Sequence, residues 1–393
     1  MLRSRKAVLF GIMLVMLLVV FEGLFFVTGK LLQRKWAMWQ TPTAPTVALH
    51  TITYSQYLKE RDPVLGWPYP EQYGHDLDVN GAHRNSYFPS GPREGSCVSL
   101  YGDSFTQGGG DVSSLDKVWG NVLSQLSSCY VANFGMGGYG TDQSYLRFEG
   151  NRTDPSPVVI LGFQTDDVLR NLTRIRDLLN YERWYALKPR FVLNAQRELE
   201  LVPMPDLTED QYLRAVGIAG DLLPLENESF QPGGPGGVVK LEFPFMVSVT
   251  KNLLRFYAFR SRLLDRPEWM DFLAPGHPLH GLEIAVGVGR KFVEMAYQRG
   301  KTPLIVILPS SLDFRYFQDH GVWPYRTVLD GYAQGVIPYI DFGPYLFTVA
   351  KAKGMTFEKY FGATGHYNDE GNALVARFVH DWLTAKALVP ARK

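Results

Sequence analysis

A serine hydroxyl is a weak nucleophile until a base takes its proton, so it matters chemically where a fold can set an imidazole beside it and hydrogen-bond donors opposite. In this chain Tyr101-Gly102-Asp103-Ser104-Phe105-Thr106 ends a short apolar run, Cys97–Tyr101, and precedes a glycine-rich stretch. Open α/β sheets present their ligands at such strand ends. Taken alone, the segment reads equally as a turn in which Asp103 and Ser104 cap the next helix. Two more segments stand in comparable places: Asn133-Phe134-Gly135-Met136-Gly137-Gly138-Tyr139-Gly140-Thr141-Asp142-Gln143 and Gly162-Phe163-Gln164-Thr165-Asp166-Asp167-Val168-Leu169-Arg170-Asn171. The glycines of the first let backbone N–H groups come close to a ligand. A fourth, Gly365-His366-Tyr367-Asn368-Asp369-Glu370-Gly371, places the side chain best suited to general acid–base work just before a C-terminal helix. Any one of the four is an ordinary turn or cap.

Their positioning elements follow from the hydrophobic pattern. From Cys97 onward, strand-like runs alternate with amphipathic helices, which forces parallel pairing through crossovers. The predicted strands are Cys97–Tyr101, Tyr130–Phe134, Val158–Phe163, Leu304–Leu308 and Val336–Phe342, the last at an edge because Pro338 lacks a ladder donor. Val118, Trp119, Val122, Leu123 and Leu126 mark one helix; Leu374, Val375, Phe378, Val379 and Trp382 mark the C-terminal one, with Asn368 as its N-cap. The expected class is α/β, a flavodoxin-like three-layer sandwich around a mostly parallel five-stranded sheet. Between about 173 and 280 the alternation stops. That insertion is expected to hold a hairpin (Phe191–Asn194 with Glu198–Val202), a loop (Pro232–Gly237) and a helical stretch (Val249–Leu264), and to cover the active-site end of the sheet.

Ala7 to Thr28 is apolar apart from Glu22 and two glycines, long enough to span the ~30 Å hydrocarbon core. The reading is a cytoplasmic tail (1–6), a transmembrane anchor (7–28), a linker (29–49) and a single domain (50–393) in which residues 50–92 form short strands and turns. Basic residues balance across the span, with Arg3, Arg5 and Lys6 before it and Lys30, Arg34 and Lys35 after it. The free N-terminus tips the orientation inward, which puts the domain outside the cytoplasm, in the periplasm or at the cell surface. Glu22 is expected to snorkel toward the interface. Lys plus Arg total 40 against 39 Asp plus Glu, so no basic excess exists to neutralise a nucleic acid.

In order and placement the four segments resemble the four sequence blocks of the SGNH (GDSL-type) hydrolase superfamily. They are most similar to membrane-anchored members, with Gly-Asp-Ser-Phe-Thr and Gly-Tyr-Gly-Thr-Asp-Gln, that are associated with bacterial cell-surface polysaccharides. The resemblance covers roughly residues 97–171 and 303–385. It implies Ser104 as nucleophile, the N–H groups of Ser104 and Gly138 as oxyanion donors, His366 as base and then acid, and neither a metal nor a cofactor. Two places depart from the pattern. The acid that ordinarily stands two or three residues before the histidine is replaced by Ala363 and Thr364, leaving Glu358 and Asp341 as conceivable substitutes. The asparagine of the third block is replaced by Asp166, with Gln164 the nearby amide that could donate in its stead.

The implied activity is that of an extracytoplasmic O-acyl ester hydrolase or acyltransferase working through an acyl-serine. Its partners would be an acylated carbohydrate or a small acyl ester, and the membrane. The alternatives are a degenerate site that only holds a glycan, or a membrane-anchored scaffold in surface-polymer export. The two cysteines, Cys97 and Cys129, each begin a predicted strand, and the resemblance makes those strands neighbours. They are either a pair of buried thiols or a disulfide, for which the Cα atoms must lie ~4.4–6.8 Å apart.

Overall fold

Runs such as Val158-Val159-Ile160-Leu161 put branched side chains on both sides of a strand, which suits only a strand covered on both faces. The computed structural model describes residues 2–36, 53–66, 77–78, 81–91, 95–180, 186–216, 223–231, 234–237, 241–255 and 257–389. In it β1 (Ser96–Tyr101), β2 (Tyr130–Asn133), β3 (Val158–Gln164), β6 (Thr302–Leu308) and β7 (Tyr339–Asp341) form one sheet in the order β2-β1-β3-β6-β7. Every pairing in it is parallel. β4 (Arg190–Leu193) and β5 (Leu199–Val202) form the expected antiparallel hairpin.

The principal helices are α1 (Leu2–Trp36), α2 (Trp119–Ser127), α3 (Thr141–Gly150), α4 (Phe245–Arg255), α5 (Gly281–Gln298), α6 (Phe342–Ala352) and α7 (Asp369–Ala385). Alternate strand residues feed two cores. Val98, Leu100, Ile160, Leu304 and Val306 meet α2, α6 and α7 on one face. Val159, Leu161, Phe163, Ile305 and Ile307 meet α3 and α5 on the other. Leu374, Val375, Val379 and Leu383 of α7 are buried, each stabilising by roughly 1.5–3 kcal/mol relative to exposure. That packing holds the segment before α7, and with it His366, against the sheet.

Several expectations are corrected. Helix α1 runs on to Trp36, so the first part of the expected 29–49 linker is helical, and the remainder lies outside the described residues. Of residues 50–92, Tyr54–Glu60 is a helix rather than a strand. Its cap explains it: Thr53 Oγ1 accepts from Gln56 N at 3.1 Å. The expected fifth strand shrinks to three residues because Val336 takes a positive φ and Pro338 cannot donate. The helical stretch expected at Val249–Leu264 is two helices, α4 and Tyr257–Leu263. Of the expected loop Pro232–Gly237, residues 234–237 are described and form turns. Of the two readings left open for Cys97 and Cys129, the disulfide is the one the structure bears out, with the Cα atoms 6.1 Å apart.

Candidate active site

β1 delivers Gly102 and Asp103 to its carboxyl end, and Ser104 opens the short helix Ser104–Gln107. Asp103 is the N-cap, its Oδ1 accepting from Phe105 N at 2.9 Å and Thr106 N at 3.4 Å. Gly102 and Gly162 are required here, since a Cβ on either would collide with the side chain of Thr106. The turn is thereby pressed onto β3.

His366 arrives from the other end of the chain. Its Nε2 lies 2.8 Å from Ser104 Oγ. On the far side of the ring, Nδ1 lies 2.8 Å from Thr364 Oγ1. That hydroxyl donates to Asp111 Oδ2 at 2.6 Å, and the same carboxylate accepts from Thr364 N at 3.1 Å and His366 N at 3.0 Å. A hydroxyl that spends its proton on Asp111 has lone pairs left for an Nδ1–H, which leaves Nε2 free to accept from Ser104. Burial works against the Asp111 charge, but the hydrogen bonds from Thr364 and His366 N outweigh it and hold the carboxyl below its ordinary range. Close approach is possible because Gly110 has φ +95° and because a Cβ on Gly362 would strike the Asp111 side chain.

Neither expected substitute for the acid fills that role. Asp341 is the N-cap of α6, accepting from Gly343 N at 3.0 Å and from Tyr325 Oη at 3.0 Å. Glu358 is an exposed residue of the 3-10 turn Phe357–Tyr360. Asp111 escaped detection because it is close to His366 only through the fold. The one available signal was an acid directly after the Gly108-Gly109-Gly110 run that follows Ser104.

The third segment is organised by Arg170. Its guanidinium meets Asp103 at 3.0 Å, Asp167 at 2.9 Å and Asp166 at 3.1 Å, and donates to Tyr139 O at 3.1 Å. Carboxylate oxygens of these three aspartates lie within 4.8 Å of one another, a spacing that could hold a cation, and Arg170 is that cation. Burial opposes its charge, yet the three carboxylates push its pKa higher still. Burial raises Asp103 and, more strongly, Asp167, with Arg170 opposing in both. Asp166 is therefore engaged with Arg170. Gln164 is buried, and its side-chain oxygen accepts from Asp166 N at 2.9 Å.

Gly138 is buried with φ +77°, in the loop after β2. Asn171 ties that loop to the third segment, accepting from Asp142 N at 3.1 Å and donating to Thr141 Oγ1 at 2.6 Å. Lys188, from the insertion, forms a buried ion pair with Asp142 and donates to Arg170 O at 3.0 Å. A cavity of about 460 Å³ opens beside Asp166, walled by Arg266 and Trp269 from the insertion and by Arg315 and Tyr316 from the helix Ser311–His320. The structure thus brings Ser104 and His366 together and sets the Gly138, Gln164 and Asp166 segments at the same end of the sheet.

No family model matches the chain, and no curated protein does. Solved structures similar to it include an acetylxylan esterase from Geobacillus stearothermophilus, in a catalytic-mutant form, 14% identical, covering 76% of this chain and 99% of that one at TM-score 0.34. An acetyl xylan esterase from the rumen bacterium Butyrivibrio proteoclasticus is 9% identical and covers 74% of this chain and 64% of that one at TM-score 0.33. A two-domain esterase active on acetylated mannans is 13% identical and covers 76% of this chain and 52% of that one at TM-score 0.35. At such values the chemistry must be read from the residues themselves. The strand order β2-β1-β3-β6-β7, with the four segments at the ends of its elements, is that of an α/β fold with a parallel five-stranded sheet.

Proposed function

We propose that this protein is a membrane-tethered O-acyl ester hydrolase or acyltransferase of SGNH type, acting outside the cytoplasm through an acyl-Ser104 intermediate on an acylated carbohydrate. The observation that carries the reading is the 2.8 Å contact between Ser104 Oγ and His366 Nε2, with Thr364 and Asp111 aligned behind the ring. His366 takes the serine proton as Oγ attacks the acyl carbonyl. The N–H groups of Ser104 and Gly138 and the Gln164 amide, whose oxygen is already committed to Asp166 N, receive the oxyanion. His366 then protonates the departing alcohol. Water or a sugar hydroxyl, deprotonated by the same Nε2, releases the acyl group, so hydrolysis and transfer share their first half.

Two features support the placement. α1 holds the span Val8–Leu32, with mean hydropathy 2.7 and most of its apolar side chains exposed. The Cys97–Cys129 disulfide suits an oxidising compartment. The test is turnover of p-nitrophenyl acetate and fluorophosphonate labelling by the full chain beside its Ser104→Ala and His366→Ala variants. Activity lost in both variants, with labelling lost in Ser104→Ala, is expected. An inert, unlabelled but folded wild type would overturn the enzyme in favour of a glycan-holding domain. Acetylated glycans should be turned over in preference to long-chain lipid esters, and the opposite preference would overturn the carbohydrate assignment.

A further inference from the structure

Glu22 does not reach for an aqueous interface. Its carboxylate accepts from Phe245 N at 2.5 Å and from Met246 N at 3.4 Å, closing the first turn of α4, where unpaired N–H groups and the helix dipole favour an anion. Phe25, Gly29 and Leu32 follow Glu22 at helical spacing on the same stripe of α1, and they too meet the insertion. Phe25 and Leu32 pack around Val249 together with Leu241 and Leu253. Gly29 is buried; a Cβ there would come within 2.7 Å of Leu241 Cδ1 and 3.2 Å of Val249 Cγ2. The rings of Phe26 and Phe245 meet at 4.9 Å between centroids, tilted by 57°. Every α1 residue in this contact falls inside the apolar span Val8–Leu32. A helix of the catalytic domain therefore lies alongside the membrane-crossing segment, within its apolar length.

The outer side of α4 is apolar where a soluble helix would be polar. Met246, Val247 and Leu254 are 37%, 42% and 66% exposed, and the preceding Phe243 is 71% exposed. The polar residues Ser248 and Asn252 are buried along with Val249. Lys251 is exposed and has the stem to carry its ammonium to headgroups. We infer that α4 is a second membrane contact: its Phe243, Met246, Val247 and Leu254 face is seated in the lipid bilayer beside α1, and Glu22 latches the two helices together. The inference rests on α1 being a membrane anchor. Lipid that surrounds the span must also cover the α4 face beside it, since α4 packs directly on the span through Phe26–Phe245 and through Phe25, Leu32 and Val249. The seat has a consequence for the site. α4 leads through the helix Tyr257–Leu263 to the turn Glu268–Leu273, which packs against Asp167–Arg170, so the insertion wall of the Asp166 cavity is held at a set height above the bilayer.

The experiment uses the full chain in phosphatidylethanolamine–phosphatidylglycerol vesicles. An environment-sensitive fluorophore is placed on single cysteines introduced as Val247→Cys and Leu254→Cys, with Val15→Cys in the span and Val336→Cys, 88% exposed in the native chain, as references. The native cysteines are paired and do not react. Labels at 15, 247 and 254 should be quenched by lipids carrying nitroxides on their acyl chains and be several-fold less sensitive to iodide than the label at 336. If 247 and 254 behave like 336 while 15 is quenched by lipid, the second contact is refuted and the anchor stands. If 15 also behaves like 336, the anchor and the inference fail together.

Discussion

Replacing Thr364 by valine keeps the side-chain shape and removes only the hydroxyl that stands 2.8 Å from His366 Nδ1 and 2.6 Å from Asp111 Oδ2. In the transition state the ring is an imidazolium, so the lost bond is one to a charged group, worth about 1.5–3 kcal/mol. At 1.36 kcal/mol per tenfold, that predicts a fall in kcat/KM of about 10- to 150-fold. It should be smaller than the ~10⁴ lost when a carboxylate bonded directly to the histidine is removed, because Asp111 acts through an intervening hydroxyl. Thr364 acts through the histidine, so kcat should fall while KM holds, and Thr364→Ser should recover most of the loss. Steady-state hydrolysis of a soluble acetyl ester reads both parameters. Unchanged kcat/KM in Thr364→Val would refute the relay, and an equal loss in the serine variant would assign the effect to loop packing. Asp111 adds a pH signature: its carboxyl is held below the ordinary range, so it clamps the Gly362–His366 loop above that range and releases it only as pH falls through the lowered value.

Gln164→Ala should lower kcat by roughly 10²–10³ if its amide receives the oxyanion, and undiminished turnover would remove it from that role. Arg170→Met leaves Asp103 and Asp167 buried without their cation and should cost about 3–5 kcal/mol in urea unfolding; a loss well below that range would show that the aspartates are neutral without it. Asp313 is pushed up to about 7 by burial, against hydrogen bonds from Thr165 and Ser310, so the folded state keeps a proton that the unfolded chain has released. Stability should therefore fall as pH rises from the ordinary carboxylate range toward 7, by at most about 1.4 kcal/mol per pH unit, and Asp313→Asn should flatten that slope. A variant with the wild-type slope would contradict this. Reducing the Cys97–Cys129 bond, which closes a loop with a sequence separation of 32, should cost roughly 2–4 kcal/mol, measured as a lower unfolding midpoint in reductant; an unshifted midpoint would mean that the bond adds nothing.

The parallel core was legible because burial on both faces makes β1, β3 and β6 apolar runs, and because turn residues mark their ends. The Ser104 and His366 segments were legible for the same reason, each lying at the boundary of a periodic element. The helix Tyr54–Glu60 was not, since a seven-residue element depends more on its Thr53 cap and its packing than on any periodic stripe. Asp111 and Glu22 were missed for a related reason. Each was sought near its partner in sequence or at the nearest interface, and each finds it more than two hundred residues away.

Sequence by itself thus determined the elements of the parallel core, their order, the apolar N-terminal span and the residue types able to do acyl chemistry, because periodicity and turn chemistry are local. The fold alone decided which carboxylate stands behind the histidine, which cation holds Asp103, Asp166 and Asp167, and what Glu22 is for. Those are matters of distance between remote segments, and distance is set only when the two cores close on the sheet.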